Sequence, residues 1–111
     1  MRFEWTQSFD GDFDRLSDRD KRLFLDAVAA FNTACDAFVE HQGSYAWPAR
    51  LRVKPVVNSP GIFEMTWSFA GPDGRATWEW IEVDVKKGRR KIKAPAIRWR
   101  RIGDHRVLKA P

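Results

Sequence analysis

A β-strand is predicted by the stretch Phe63-Glu64-Met65-Thr66-Trp67-Ser68-Phe69, in which large apolar side chains alternate with polar ones. A period of two places the apolar set on one face of a strand and the polar set on the other. The turn signal Gly71-Pro72-Asp73-Gly74 follows closely, since Gly and Pro favour tight turns. A second strand begins at Arg75, with Trp78 and Trp80 on its apolar side. Together these patterns predict a pair of antiparallel strands.

The apolar pattern changes phase after Trp80. Apolar residues then occupy the opposite parity, at Ile81, Val83 and Val85. This change predicts a bulge or a strong twist near Trp80, because it moves the apolar side chains to the other face of the strand. We expect a basic loop over residues 86–94 and a final strand over 96–102, in which Ile97 and Trp99 alternate with arginines.

Two helices are predicted ahead of these strands. Phe3 and Trp5 indicate a strand over residues 2–8, and a short amphipathic helix follows it. A second helix over about 18–41 takes Ser17 as its N-cap and stops before Gly43. The apolar stripe of this helix consists of Phe24, Val28, Phe31, Cys35 and Phe38.

The resulting order, β-α-α-β-β-β, predicts a single α+β domain over residues 1–111. We expect two N-terminal helices packed on one face of a small, largely antiparallel, twisted sheet. The other face would then be open to solvent. The side chains expected on this open face are Glu64, Thr66, Ser68, Arg75, Thr77, Glu79, Arg98 and Arg100.

The composition excludes several classes of protein. The 111 residues are 43% hydrophobic and 32% charged, a balance typical of globular domains and not of disordered chains. The longest apolar run, Ala27 to Phe31, is much shorter than the ~20 residues of a membrane-spanning helix. Glu4 and Asp10 do not fit a signal peptide, and Cys35 is the only cysteine. We therefore expect a cytoplasmic protein without disulfides.

Charge is distributed unevenly along the chain. The net charge of +5 combines −4 over residues 1–48 with +9 over residues 49–111. The segments 86–93 and 98–101 together hold nine cations and no carboxylate. Such a surface attracts a polyanion, such as nucleic acid or an acidic protein, although a basic hairpin tip can also serve solubility alone.

Familiar catalytic motifs are missing from the sequence. It has no Gly-rich phosphate loop, no His and Cys cluster for zinc, and no Ser-His-Asp arrangement with its supporting motifs. We therefore expect neither a cofactor nor a metal. His41 ends the long helix, where a cation complements the helix dipole, and is interpreted as structural. His105 follows the last strand beside several arginines, which makes it a candidate for proton transfer.

Three segments taken together carry a family resemblance. They are Pro60-Gly61-Ile62-Phe63-Glu64-Met65-Thr66-Trp67, Asp73-Gly74-Arg75-Ala76-Thr77 and Trp99-Arg100-Arg101-Ile102-Gly103-Asp104-His105. In this order they resemble toxins of the RelE/ParE superfamily from bacterial type II toxin–antitoxin systems, in particular the actinobacterial RelE-like branch. The likeness in size and element order covers nearly the whole chain, including the stretch Leu51-Arg52-Val53-Lys54.

The resemblance implies a ribosome-dependent mRNA endoribonuclease that inhibits translation. Its partners would be the ribosome, mRNA and a cognate antitoxin protein that binds the basic surface, with a toxin–antitoxin hetero-oligomer as one expected form. Members of this family use no metal. The ribose 2′-hydroxyl attacks the adjacent 3′-phosphate, which requires a base, positive charge for the phosphate and an acid for the leaving oxygen.

Residue roles follow from the positions that match the family. Arg75 matches the phosphate-binding arginine, and His105 matches an acid-type residue beyond the last strand. Lys54 and Glu64 are the two candidates for the base; other members carry a carboxylate near the first position and a lysine at the second. The residues expected to bind RNA are Arg98, Arg100, Arg101, Lys86, Lys87, Arg89 and Arg90.

Two other functions remain open from the sequence. The same superfamily contains a ParE-like branch that inhibits DNA gyrase without catalysis. A toxin homologue that has lost activity and acts as a basic binding module is also consistent with the chain, because the terminal tyrosine of several members has no counterpart and Tyr45 lies far from the C-terminus.

Overall fold

The computed structural model describes residues 1–68 and 73–111, which form two helices and one five-stranded sheet. The elements are β1 (Arg2–Trp5), α1 (Gln7–Asp14), α2 (Asp18–Glu40), β2 (Lys54–Pro55), β3 (Ile62–Ser68), β4 (Gly74–Lys87) and β5 (Arg90–Asp104). Short 3₁₀ segments cover Ala49–Leu51 and His105–Lys109. Phe69 and the predicted turn at Gly71-Pro72 lie outside the described residues.

The sheet is open and mostly antiparallel. Its strand order is β1-β5-β4-β3-β2, and only the outer β1 runs parallel to its neighbour. The predicted α+β class with two helices is therefore confirmed. The sequence analysis missed β2, whose two residues pair with Glu64 and Phe63 of β3.

Local capping explains where the helices begin and end. The Thr6 hydroxyl accepts a hydrogen bond from the Phe9 N–H at 3.1 Å, so β1 stops at Trp5 and not at residue 8. Ser17 caps α2 in the same way, accepting from the Asp20 N–H at 3.1 Å. Beyond Glu40, Gly43 adopts φ 86° and its N–H donates to the Phe38 carbonyl. The predicted helix over 18–41 is confirmed within one residue.

Aromatic rings fill the space between α2 and the sheet. Phe31 of α2 lies 5.0 Å from Trp78 of β4 and 5.1 Å from Trp99 of β5, measured between ring centroids. Phe24, two helical turns earlier, contacts Trp67 of β3 edge to face. These tryptophans are buried, which agrees with their place on the apolar side of the predicted strands. No helix in the described ranges carries an apolar stretch that could span a bilayer.

The prediction of a basic loop over residues 86–94 is wrong. β4 and β5 remain paired to their ends and are joined by the two residues Gly88 and Arg89. Gly88 has φ 65°, the conformation that tight hairpin turns require and that glycine adopts without strain. Val85 faces Ile92 across the strands, and such a cross-strand apolar pair favours continued strand pairing.

A bulge lies in β5 opposite Thr77 and Trp78, within three residues of Trp80, near which a bulge or a strong twist was predicted. The register of β4 and β5 shifts between Thr77 and Trp78, opposite Arg100. Trp99 and Ile102 are both buried although they lie three residues apart, and an extra residue between them turns both toward the helices. β4 stays in register from Trp78 to Lys87, so its outer apolar residues lie on the face away from the helices.

The expected open face is partly covered, which corrects a second prediction. Gly103 pairs with Arg75, and a Cβ on Gly103 would lie 3.1 Å from Val107 of the C-terminal 3₁₀ segment. Val107 is buried there, and Arg100 donates from Nε to the Pro111 carbonyl at 2.9 Å. The C-terminal residues therefore pack across β4 and β5. Of the side chains expected to be displayed, four are buried: Glu64, Thr66, Ser68 and Thr77.

Gly74 provides a test of close packing beside this covered face. A Cβ on Gly74 would lie 2.4 Å from the Trp67 ring, so we expect Gly74→Ala to reduce the free energy of unfolding by about 1–3 kcal/mol. Gly11→Ala is the control, since its Cβ would meet only ordinary contacts inside α1. It should raise stability by about 0.5–1 kcal/mol. Urea unfolding measures the free energy of unfolding of both variants. Equal effects of Gly74→Ala and Gly11→Ala would contradict the close packing of Gly74 against Trp67.

Candidate functional site

Charged side chains from β2, β3 and β4 meet on the face of the sheet opposite the helices. Lys54 faces Glu64 across β2 and β3, and Arg75 faces Thr66 across β3 and β4. This register brings Arg75 Nε to 3.4 Å from Glu64 Oε1, and Lys54 Nζ to 3.8 Å from the same oxygen. We call Lys54, Glu64 and Arg75 the Glu64 cluster. It joins three of the four predicted catalytic residues.

Asp73 extends the cluster at the start of β4. Its Oδ2 lies 3.6 Å from Arg75 Nη2 and 3.9 Å from Arg52 Nη1. Three cations and two carboxylates therefore alternate along this part of the face, and one positive charge is in excess. An excess of positive charge at a partly enclosed position favours binding of an anion.

Burial differs sharply within the Glu64 cluster. The side chains of Glu64 and Arg75 are 5% and 13% exposed, whereas that of Lys54 is 61% exposed. Arg75 and Lys54 place two cations beside this buried carboxylate. The sequence analysis placed Glu64 on the right face but did not anticipate its burial.

Several polar atoms beside Glu64 have no hydrogen-bond partner among the described residues. They are Arg75 Nε, Thr66 Oγ1 and Thr77 Oγ1. The register places all three on the same face, since Thr66 pairs with Arg75 and Thr77 pairs with Glu64. The hydrogen bond that Arg75 does form is a long one, from Nη1 to the Gly74 carbonyl at 3.4 Å. Buried polar groups are normally paired, so atoms of this kind mark a place where a ligand or water supplies the partner.

Arg98, Arg100 and Arg101 of β5 differ from Arg75 because each is hydrogen-bonded to a carboxylate. Arg98 donates to Glu4 at 2.7 Å and Arg100 to Glu79 at 2.6 Å. These are the short distances of charge-assisted hydrogen bonds. Arg98 and Arg100 were predicted to bind RNA. Each would have to release its carboxylate partner before it could bind a phosphate.

Arg101 is directed toward α1 and not toward the Glu64 cluster. Its Nε donates to Asp12 Oδ2 at 2.6 Å, and the same oxygen accepts from the Ile102 N–H at 3.2 Å. Burial raises the pKa of Asp12, but these hydrogen bonds outweigh it and leave the pKa below its usual value. This contact between α1 and β5 was not predicted, because its partners lie 89 positions apart in the chain.

His105 lies outside the contacts of the Glu64 cluster. It is exposed and begins the C-terminal 3₁₀ segment, two residues beyond the Gly103 that pairs with Arg75. The neighbouring Asp104 accepts hydrogen bonds from the side chain and the backbone N–H of Arg106, which lower the pKa of Asp104 to about 2. The structure thus brings Lys54, Glu64 and Arg75 together and leaves His105 at the border of the covered face.

The remaining predicted RNA-binding residues lie at the far end of β4 and β5. Lys86 is eleven positions beyond Arg75 on the same strand, a separation of about 35 Å at the usual rise of a strand. Lys87, Arg89 and Arg90 surround the hairpin turn beside it. Within the described ranges, no three His, Cys, Asp or Glu side chains are grouped as a metal site would need.

We compared the chain with protein families, curated proteins and solved structures. No protein-family model matches the chain, and neither the curated proteins nor the solved structures contain a significant match.

Proposed function

We propose that this chain is an RNA-cleaving toxin of the RelE-like type, which binds the scissile phosphodiester at Arg75 and uses Glu64 as the general base. One observation carries the proposal. The side chain of Arg75 is 13% exposed, and its buried Nε lies 3.4 Å from Glu64 Oε1 without a hydrogen-bond partner among the described residues. A phosphate oxygen is an acceptor that suits such a donor.

The surroundings of Arg75 support phosphate as the ligand. A planar guanidinium binds two phosphate oxygens at once, and the buried hydroxyls of Thr66 and Thr77 lie beneath it on the same face. Lys54 contributes a mobile positive charge at the exposed border of the cluster. Together these groups would stabilise the negative charge that accumulates on phosphorus in the transition state.

The proposed reaction is an internal transesterification. The 2′-hydroxyl transfers its proton to Glu64, and its oxygen bonds to the adjacent phosphorus. The bond from phosphorus to the 5′-oxygen then breaks, and that oxygen takes a proton from His105 as it leaves. The products are a 2′,3′-cyclic phosphate and a 5′-hydroxyl, and neither water nor a redox partner is consumed.

The biological setting of the proposal comes from the family resemblance. Cleavage would take place on mRNA in the ribosome, and a cognate antitoxin would neutralise the toxin by binding its basic surface. Induced expression should then stop growth and translation. Primer extension on translated messages would show new 5′ ends in the presence of the toxin.

Variants of the cluster test this function. We expect Arg75→Lys and Glu64→Gln to reduce RNA cleavage at least about 100-fold, because each removes a group that acts in the transition state. Arg75→Lys keeps the charge beside Glu64, so the fold should persist. His105→Gln should also reduce cleavage. Arg22→Gln on the exposed side of α2 is the control, and it should leave cleavage unchanged.

Three results would separate the alternatives. Undiminished cleavage in folded Arg75→Lys and Glu64→Gln proteins would remove the catalytic assignment. Growth arrest with intact messages and inhibited supercoiling would identify the gyrase-inhibiting function. An absence of any growth defect on expression would favour the inactive homologue that acts as a binding module.

A further inference from the structure

The outer parts of β4 and β5 form a two-stranded ribbon that leaves the body of the protein. Pairing of β4 with β3 ends at Glu79, and pairing of β5 with β1 begins only at Ala96. Residues 82–95 are therefore paired only with each other, and we call them the basic ribbon. The longest dimension of the molecule is 47 Å, against 29 and 28 Å for the others. An exposed ribbon of this kind can enter a groove that the body of the protein cannot enter.

The cations of the basic ribbon are concentrated at its tip. Lys93 is paired with Asp84 at 2.7 Å. No carboxylate among the described residues lies within ion-pair distance of the five other cations. These are Lys86, Lys87, Arg89, Arg90 and Lys91, all of them exposed. This separates the tip from the β5 arginines of the body, which are hydrogen-bonded to carboxylates.

The register places like charges directly opposite one another at the tip. Lys86 faces Lys91, and Lys87 faces Arg90. Like charges at opposed positions destabilise a strand pair, and a carboxylate on either side would turn repulsion into attraction. Two such pairs in succession, held at a local cost to stability, are typical of a functional surface.

The two pairs also point in opposite directions. Successive residues of a strand alternate between its faces, so Lys86 and Lys91 lie on one face and Lys87 and Arg90 on the other. A protein partner lying flat against the ribbon would meet only one of these pairs. A groove with phosphates along both walls would meet both.

We propose that the basic ribbon binds the phosphate backbone of a nucleic-acid duplex by inserting into a groove. A two-stranded ribbon fits the major groove of B-DNA, and paired RNA presents the same phosphate chemistry around a narrower groove. The tip of the ribbon lies about 35 Å from the Glu64 cluster, so binding there does not depend on the proposed cleavage. The proposal extends the function to a second, separate contact with nucleic acid.

Charge reversal at the tip tests this proposal without weakening the fold. Lys86→Glu and Lys87→Glu each convert a repulsive pair into an attractive one, so the melting temperature should stay the same or rise. Affinity for a duplex should nevertheless fall at least about tenfold per change, and the slope of log K against log salt should decrease by about one or more. Lys109→Glu makes the same charge change on the exposed C-terminal segment and should alter affinity much less.

The probes are 20-base-pair duplexes of DNA and of 2′-O-methyl RNA, which cannot be cleaved by attack of a 2′-hydroxyl. The matching single strands and a polyglutamate peptide serve as competitors. Preference for the DNA or the RNA duplex identifies the source of the phosphates. The proposal is overturned if the tip variants bind the duplexes like the parent chain, if binding is insensitive to salt, or if polyglutamate binds more tightly than either duplex.

Discussion

Replacing Phe31 with alanine is expected to lower the free energy of unfolding by about 3–5 kcal/mol, which is a large part of the stability of a small domain. The Phe31 side chain is fully buried and lies within 5.6 Å of the ring centroids of Trp47, Trp78 and Trp99. Its removal would leave a cavity among three rings that cannot easily move, since β4 and β5 hold two of them. Urea unfolding followed by tryptophan fluorescence measures the change.

Leu25 on the same helix is the matched control for Phe31. Its side chain is 56% exposed, so Leu25→Ala removes apolar volume from α2 without opening a cavity. We expect a cost of less than about 0.5 kcal/mol. A loss below about 1 kcal/mol for Phe31→Ala, or a similar loss for both variants, would show that the rings do not form the packed core described above.

Asp12→Asn is expected to lower the free energy of unfolding by about 2–3 kcal/mol at neutral pH. Both carboxylate oxygens accept hydrogen bonds, from Arg101 and the Ile102 N–H on one side and from Arg15 on the other. An amide replaces one acceptor with an NH₂ group that would face these donors. The hydrogen bonds that join α1 to the end of β5 would weaken. This end of β5 includes Gly103, which pairs with Arg75. Asp14→Asn on the exposed side of α1 is the control and should have little effect.

The effect of Asp12 should depend on pH in a defined direction. Its pKa is lower in the folded protein than in the unfolded chain, so the ionised carboxylate stabilises the fold at pH values above about 4. This contribution is lost as the pH falls through the folded pKa. The difference in stability between the parent chain and Asp12→Asn should therefore shrink between about pH 5 and pH 2. A difference that stays constant over this interval would contradict the role of the ionised carboxylate.

Three groups of cations in the second half of the chain lie in different environments. Those on the body portion of β5 are neutralised by carboxylates, as Arg98 is by Glu4. Arg75 is enclosed with polar atoms that lack partners, and the cations at the ribbon tip face one another across the strands. These three environments explain why a count of charges along the sequence is a poor guide to which arginine binds a ligand. The two proposals concern the second and third environments.

Patterns within a few residues were sufficient to predict α2, the alternation of β3 and the inward-facing tryptophans. Helix periodicity, the Ser17 cap and the Gly43 stop are local properties, and so is the pairing of a polar with an apolar face along a strand. The proximity of Glu64 and Arg75 was also accessible, because β3 and β4 are neighbours in the chain and in the sheet. The contact of Lys54 with Glu64 was not, because β2 was not predicted.

Three features of the fold depend on contacts between residues that are distant in the chain, and local patterns could not predict them. Val107 covers the face that alternation left open, Asp12 binds Arg101 across 89 residues, and the bulge at Arg100 resets which side chains of β5 turn inward. A local pattern of alternation predicts only on which face of a strand a side chain lies. Whether that face is then covered, and which carboxylate neutralises an arginine on it, depends on how remote segments of the chain pack together.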